Sequence, residues 1–357
     1  MKTILFITNH PAPYMNRWFE LLDKENKVFV LYYYYSAIYK RWKNFEPYKG
    51  DYLNDMSIFS LIRTLLKSDF TILCGIDKPK YWLSLFTLIL KKILKKKNFA
   101  LYSDYPVSNN RKTHVFKKVL LNRFIPFLFC ATESTVEYYI KTYNILDHKI
   151  RVFPYAHNFE LGNSKDINSL RMKCLENGDK IRVFIANSFY KRKGYSILYD
   201  ALKKLKTNNM IDEFEFKFAG VGDDYNYYKE LFLELNSNTF FLGWVEDNIY
   251  NHLMKQTDIF VHASLFEPFG IPPLDALECG KLLIVSNGVK SVDLIVESGI
   301  NGFIYSGDNS EELYNIFVQI LKDKSQIYRI GNVGRQSVRT HYPEDKIKHS
   351  LNSCFDN

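Results

Sequence analysis

Short apolar runs alternate with segments of helical spacing along almost the whole chain. Thr3–Thr8 is a β-branched run that stops at Asn9-His10-Pro11-Ala12-Pro13, and Tyr14–Leu22 then spaces its apolar residues as a helix does. Lys27–Tyr34, Phe70–Cys74 and Phe99–Tyr102 read as further strands. Between the last two lies Lys78–Lys97, apolar first and then rich in lysine. Asn122–Ala131, Thr135–Tyr143 and Lys149–Phe153 continue as strand, helix and strand. Unbroken apolar strands separated by helices predict a parallel sheet covered on both faces.

The pattern fades into polar residues with Gly162, Asn163, Ser164 and Gly178, and then restarts. Strands are predicted at Ile181–Ala186, Phe214–Ala219, Thr239–Leu242, Ile259–His262, Leu282–Ser286 and Gly302–Tyr305. Helices are predicted at Gly194–Leu205, Tyr225–Asn236, Ile249–Gln256, Pro272–Cys279, Val292–Glu297, Glu311–Lys322 and Ser325–Thr340. The expected architecture is α/β, with two Rossmann-like, doubly wound domains facing a cleft. Residues 1–160 form the first domain, 161–180 a linker, and 181–335 the second. A helical tail, 336–357, has a return to the first domain as one course. Sheets of this kind bind ligands at the carboxyl ends of their strands.

Composition narrows the choices. The 357 residues suffice for two or three cores, and 46% hydrophobic with 24% charged residues is ordinary for a globular chain. The longest apolar run, near Tyr81–Leu90, is far short of the roughly 20 residues a membrane-spanning helix needs. The apolar stretch after Lys2 ends too soon for a signal peptide, so a cytoplasmic protein is expected. Cys74, Cys130, Cys174, Cys279 and Cys354 form no C-x-x-C pair, as suits reduced thiols and no zinc site.

Charge is unevenly placed. Residues 1–160 hold 25 Lys/Arg against 13 Asp/Glu, and the remainder holds 23 against 26. The first half is therefore expected to meet an anionic partner, a nucleic acid or a membrane surface. Surface filling by lysine is the plainer alternative. Tyr81, Trp82, Leu85, Phe86, Ile89 and Ile93 fall mostly on one side of a helix that ends in Lys91, Lys92, Lys95, Lys96 and Lys97. A basic amphipathic helix of this kind reads as an element for a membrane surface.

The densest chemistry lies in Ser264–Gly280, S-L-F-E-P-F-G-I-P-P-L-D-A-L-E-C-G. Phe269-Gly270-Ile271 leads into a helix opened by Pro272-Pro273, so amides and a helix dipole meet an anion at a strand end. Glu267 precedes that helix, where it can accept hydrogen bonds from a sugar, and Asp275 follows in its first turn. Asp275 serving the helix dipole and Glu267 as a loop carboxylate is the structural alternative. A second cluster, Tyr190-Lys191-Arg192-Lys193-Gly194, stands at a strand-to-helix turn and suits a diphosphate. Gly220-Val221-Gly222-Asp223-Asp224 follows another strand; two glycines alone more often mark a tight turn.

The order K-R-K-G, F-A-G-V-G-D, F-L-G-W-V, D-I-F-V-H-A-S, E-P-F-G-I-P-P-L-D-A-L-E-C-G-K and V-E-S-G-I-N-G-F resembles the C-terminal domain of retaining glycosyltransferases of family 4. These are group 1 glycosyl transferases of the GT-B architecture. The likeness runs over most of residues 181–305; the N-H-P-A-P-Y loop and Phe153-Pro154-Tyr155 resemble parts of the N-terminal domain of some members. The resemblance implies that Glu267 and Lys193 act on the donor sugar and its departing diphosphate, with Asp104 as an N-terminal-domain catalytic candidate. It further implies donor contacts from Arg192, Ser188, Gly222, Val245, Phe269, Gly270, Ile271, Asp275, Pro13 and Tyr14, with Asp275 on the ribose and Val245 near the base.

Three positions depart from the family pattern. Asp275 stands where Glu is usual, Ser188 and Asn187 where an Arg is usual, and Ser103-Asp104 where many members have His-Asp. No Asp-x-Asp motif sits in a suitable loop, so no metal and no cofactor are expected. The implied activity is a retaining, metal-independent hexosyltransferase reaction in cell-surface polysaccharide assembly. Its donor would be a UDP-sugar ahead of a GDP-sugar, and its acceptor a glycan or lipid-linked glycan. The implied location is cytoplasmic, peripheral on the inner face of the plasma membrane, with anionic lipid and no nucleic acid as partner. The alternatives are a nucleotide-sugar epimerase of the same fold, a non-catalytic basic protein that binds nucleic acid or membrane, or an inactive ligand-binding protein.

Overall fold

A computed structural model of the chain describes residues 1–34, 46–76, 78–95, 97–105, 111–163 and 167–355. It divides into two compact units: unit 1 is 1–156 with 344–357, and unit 2 is 157–343. Lys96 and Ser164 lie outside the described residues.

In unit 1 the strands are β1 Thr3–Thr8, β2 Lys27–Tyr32, β3 Gly50–Tyr52, β4 Phe70–Leu73, β5 Phe99–Ser103, β6 Phe127–Cys130 and β7 Ile150–Val152. They pair in parallel in the order β3-β2-β1-β4-β5-β6-β7. In unit 2 the strands are β8 Ile181–Ala186, β9 Phe214–Ala219, β10 Thr239–Gly243, β11 Ile259–His262, β12 Leu282–Ser286 and β13 Phe303–Tyr305. Their order, β10-β9-β8-β11-β12-β13, is that of the dinucleotide-binding fold. Chain direction across the sheet reverses between β1 and β4 in one unit and between β8 and β11 in the other. At these switch points the loops leaving two adjacent strands diverge and leave a crevice.

The residues explain the layers. Every residue of β4, β6, β11 and β12 is buried, as strands with helices on both faces require. At the edge, β10 instead alternates, with Phe240 and Leu242 exposed. Unit 1 packs Trp18 against Phe6, Tyr102 and Phe153. Unit 2 stacks Phe189 on Tyr195 at 4.1 Å between ring centres. At the amino end of β11, buried Asp258 accepts hydrogen bonds from Arg171 Nε (3.1 Å) and Nη2 (2.8 Å), Arg182 N (2.8 Å) and Tyr328 Oη (2.7 Å).

Four expectations differ. The stretch 161–180 holds helix Ile167–Glu176 and lies inside unit 2. Its anchors are Leu175 and the buried Arg171, too few apolar positions to give a helical period. Val292–Glu297 is a run of turns, because Asn301 takes over the backbone partners a helix would use: its Oδ1 accepts from Glu297 N, and its Nδ2 donates to Ile295 O. Residues 120–124 form one π-helical turn ahead of β6, with Asn122 Nδ2 donating to Lys118 O and Tyr143 O. Helices Ile58–Lys67 and Arg111–Val119 add to those expected. Among the described residues no helix is long and apolar enough to cross a membrane.

Candidate active site

The loops leaving β8 and β11 meet at the switch point of unit 2. The first, 187–194, ends in a short 3-10 turn, Lys191–Lys193, closed by Gly194 in the left-handed region (φ 69°). A Cβ on Gly194 would lie 1.9 Å from the carbonyl oxygen of Ala263, so glycine alone lets the two loops touch. Leu265 N donates to Arg192 O at 2.9 Å and locks that contact.

This turn separates the three cations. Lys191 and Arg192 face outward, whereas Lys193 is 6% exposed and points at Glu267. Lys193 Nζ pairs with Glu267 Oε2, and Arg192 Nη1 stands 3.8 Å from the same oxygen while donating to Phe266 O at 3.0 Å. The expectation that all three cations serve one anion is thereby narrowed to Lys193, with Arg192 at the rim. Burial by itself would raise the Glu267 carboxyl, but neighbouring His262 and Lys193 outweigh it and hold the group down at about 2. Burial lowers Lys193 despite the attraction of Glu267. His262, also lowered by burial, has Nε2 3.9 Å from Glu267 and 3.2 Å from Ser264 Oγ. Asn187 Nδ2 donates to Ser264 Oγ at 2.8 Å.

The loop carrying Glu267 is pinned from its other side. Glu267 N donates to Gly288 O, Lys290 N to Glu267 O and Ser291 N to Phe269 O, while Ser291 Oγ donates to Gly270 O. Gly270 adopts φ 92° and hands the chain to helix Ile271–Glu278. Pro272 and Pro273 remove two amides from its first turn, so fewer donors face an anion there than a proline-free start would offer.

Asp275 is 2% exposed, and its oxygens accept from Asn158 N (2.7 Å) and Tyr250 Oη (2.9 Å). Gly222 packs on Phe189: a Cβ there would sit 2.0 Å from its carbonyl oxygen, which makes this glycine a close-packing position. Ser188 is half-buried next to Asn187, whose Oδ1 accepts its amide at 3.0 Å. Val245 is half-buried beside the exposed Trp244.

Unit 1 carries the remaining candidates. Asp104 follows β5, and its Oδ1 accepts from Tyr155 Oη at 2.6 Å. Asp104 keeps a face open to solvent, yet desolvation of its carboxyl raises it above the usual range against the pull of Tyr155. Tyr14 packs edge-on against Tyr155 at 5.2 Å, and Trp18 lies 5.2 Å from the same ring. Pro13 opens helix Pro13–Asp23. The sequence reading did not single out His262, Ser264, Ser291, Tyr250, Asn158 or Tyr155 for these contacts. The H-A-S triplet at the end of β11 and the Phe153-Pro154-Tyr155 stretch are the local signals among them. Among the described residues no group of three or more His, Cys, Asp or Glu is placed to hold a metal ion.

Residues 166–337 match the family described as glycosyl transferases group 1. An uncharacterized glycosyltransferase of Methanocaldococcus jannaschii is 26% identical over 230 residues, 62% of this chain and 58% of that protein. The UDP-Gal:alpha-D-GlcNAc-diphosphoundecaprenol alpha-1,3-galactosyltransferase of Escherichia coli is 26% identical over 204 residues, 55% of this chain and 51% of that one. The chain thus spans between half and two thirds of the length of these relatives. A crystal structure of an Anabaena protein in complex with UDP and glucose superposes with a TM-score of 0.75 at 18% identity, with all of both chains covered. The α/β fold of two parallel sheets is shared with that structure.

Proposed function

We propose that this chain is a retaining, metal-independent glycosyltransferase of family 4. It moves a hexose from a UDP-sugar, ahead of a GDP-sugar, to a glycan or lipid-linked glycan in cell-surface polysaccharide assembly. The reading includes a cytoplasmic location at the inner face of the plasma membrane. The observation that carries it is the Lys193–Glu267 pair, held between the loops of β8 and β11 at a switch point inside the group 1 match. The UDP in the Anabaena structure and the UDP-galactose in the E. coli relative's name support the choice of base.

In this mechanism the donor diphosphate takes the Lys193 ammonium from Glu267. The freed carboxylate accepts hydrogen bonds from sugar hydroxyls. As the bond from anomeric carbon to phosphate oxygen breaks, Lys193 stabilises the departing charge, with Arg192 at the rim. The acceptor hydroxyl bonds to the anomeric carbon on the same face and passes its proton to the leaving phosphate oxygen. The amides of Phe269, Gly270 and Ile271 lie along the diphosphate, Asp275 meets the ribose, and Val245 flanks the base. Ser188 and Gly222 line the donor from the neighbouring loops. Asp104, Pro13 and Tyr14 are the unit 1 members of this reading, with Tyr155 in contact with both Asp104 and Tyr14.

A panel of nucleotide sugars tests this, scored by thermal shift and slow donor hydrolysis. UDP-sugars are expected to raise the Tm, activity to survive excess EDTA, and proton NMR to show the donor's anomeric configuration in the product. An inverted product, or loss of activity in EDTA, overturns those parts. An epimerised nucleotide sugar formed without acceptor would replace the reading altogether.

A further inference from the structure

Three neighbouring helices of unit 1 carry large apolar side chains into solvent. Phe59 on Ile58–Lys67 is 86% exposed, Phe86 and Ile93 on Pro79–Lys95 are 62% and 67% exposed, and Phe116 on Arg111–Val119 is 55% exposed. The helices are fastened to one another. Lys91 is buried and donates to Leu65 O (2.5 Å) and Ser68 O (2.6 Å), joining the second helix to the end of the first. The Trp82 and Phe116 rings, 6.2 Å apart, join the second to the third. These contacts make the apolar side chains members of one surface.

The same surface is strongly basic. From Ile58 to Phe124 the sequence holds 14 Lys/Arg against three Asp and no Glu. One of those three, Asp69, is paired with Lys97 at 2.6 Å. Exposed Lys95 and Lys118 lie next to the apolar positions of their helices. A second copy of the chain would bring this like charge against itself, which argues against a symmetric dimer through the same face. Nucleic acid would satisfy the lysines and leave Phe59, Ile93 and Phe116 without an apolar partner. A bilayer rich in anionic lipid meets both halves of the chemistry, since apolar side chains enter the acyl boundary while lysines meet the headgroups.

We infer that this three-helix face of unit 1 docks the chain on an anionic phospholipid surface, through Phe59, Phe86, Ile93 and Phe116 with the lysines around them. The inference rests on the membrane location in the proposed function and adds the face and the residues that would make the contact. The full chain is sedimented with vesicles of phosphatidylcholine and with vesicles enriched in phosphatidylglycerol, while UDP-sugar hydrolysis is measured on the same preparations without lipid. The expected result is binding to the anionic vesicles, weakened by salt and reduced about tenfold or more in Phe86→Glu/Ile93→Glu and in Lys95→Glu/Lys118→Glu. Hydrolysis stays unchanged in both variants, which also shows that they fold. Absence of binding at low salt, equal binding to neutral vesicles, or full binding by the apolar variant overturns the docking face. Intact vesicle binding by a chain that hydrolyses no nucleotide sugar would instead overturn the proposed function and leave this face standing. Dimerisation of the wild-type chain that Phe86→Glu/Ile93→Glu abolishes would assign the face to a second copy and overturn the inference.

Discussion

The sheet of unit 2 carries an ionic cluster at each end, and the two are built on opposite plans. At the amino ends, Asp258 accepts hydrogen bonds from the Arg171 guanidinium, the Arg182 amide and the Tyr328 hydroxyl and is fully buried. At the carboxyl ends, Glu267 meets Lys193 and the more distant Arg192 and His262, and part of it faces solvent. A saturated cluster has no capacity left for a ligand and can only hold the chain. The second cluster keeps an accessible carboxylate and an ammonium whose partner can be exchanged. Position agrees with this division, because the carboxyl ends are where loops diverge at the switch point. The comparison therefore separates the charges that stabilise unit 2 from those available to a ligand.

The largest expected effect tests the closed cluster. Among the described residues, Asp258→Ala leaves the buried Arg171 guanidinium with Asp179 and the Lys180 carbonyl oxygen as partners. Breaking a buried pair in this way costs about 3–5 kcal/mol, which urea unfolding would read directly. A loss below about 1 kcal/mol, the scale of an exposed pair, would remove the distinction between the two clusters.

Next comes the acid stability of the open cluster. A carboxyl held at about 2 in the folded chain stabilises it fully above the ordinary carboxylate range and loses that contribution as pH falls through the folded value. The window lies between about 4.5 and 2, and the linked free energy is about 3 kcal/mol. Glu267→Gln should flatten the fall in unfolding free energy across that window, measured by denaturant titrations at several pH values. An unchanged slope would show that other carboxylates drive the acid loss.

Lys193→Ala should then weaken ligand binding. Removing a charged hydrogen-bond donor to the diphosphate is expected to weaken UDP-sugar affinity by about 1.5–3 kcal/mol, read by calorimetry. Arg192→Ala at the exposed rim should cost less. Equal losses from the two variants would return the turn to the picture of three equivalent cations.

Local residues made much of this legible. The bounds of β1, β8, β9 and β12 follow directly from apolar runs that end at a glycine or asparagine, and Lys193 and Glu267 stand in motifs that resemble a known family. What was hidden depends on chain order across the sheet. Asn187 reaches Ser264 across 77 positions, and Arg171 reaches Asp258 across 87, contacts made only because β8 lies beside β11. Asp275 shows the same limit from the other side. Its place in the first helical turn was readable, whereas its hydrogen bonds to Asn158 N and Tyr250 come from other segments of unit 2. The Asn301 side chain, which replaces backbone partners near Val292–Glu297, likewise turns an apparent helix into turns without altering the apolar pattern.

The smallest expected effect carries the comparison to unit 1, where a carboxylate takes its hydrogen bond from an aromatic side chain. Tyr155 donates to Asp104 Oδ1 at 2.6 Å, and that hydrogen bond opposes the desolvation that raises the carboxyl. Tyr155→Phe removes the opposing interaction and keeps the ring that packs on Tyr14 and Trp18. Asp104 should therefore rise further, and its ionised form should become scarcer at a given acidic pH. The cost in stability should be about 1 kcal/mol or less, because solvent reaches Asp104 and can replace the lost donor. If ionised Asp104 takes part in turnover, the acid limb of the rate profile for donor hydrolysis moves to higher pH in Tyr155→Phe, with the plateau rate little changed. Asp104→Asn should abolish that limb. A limb that stays in place in Tyr155→Phe, or persists in Asp104→Asn, would assign it to another group and leave Tyr155 as packing alone.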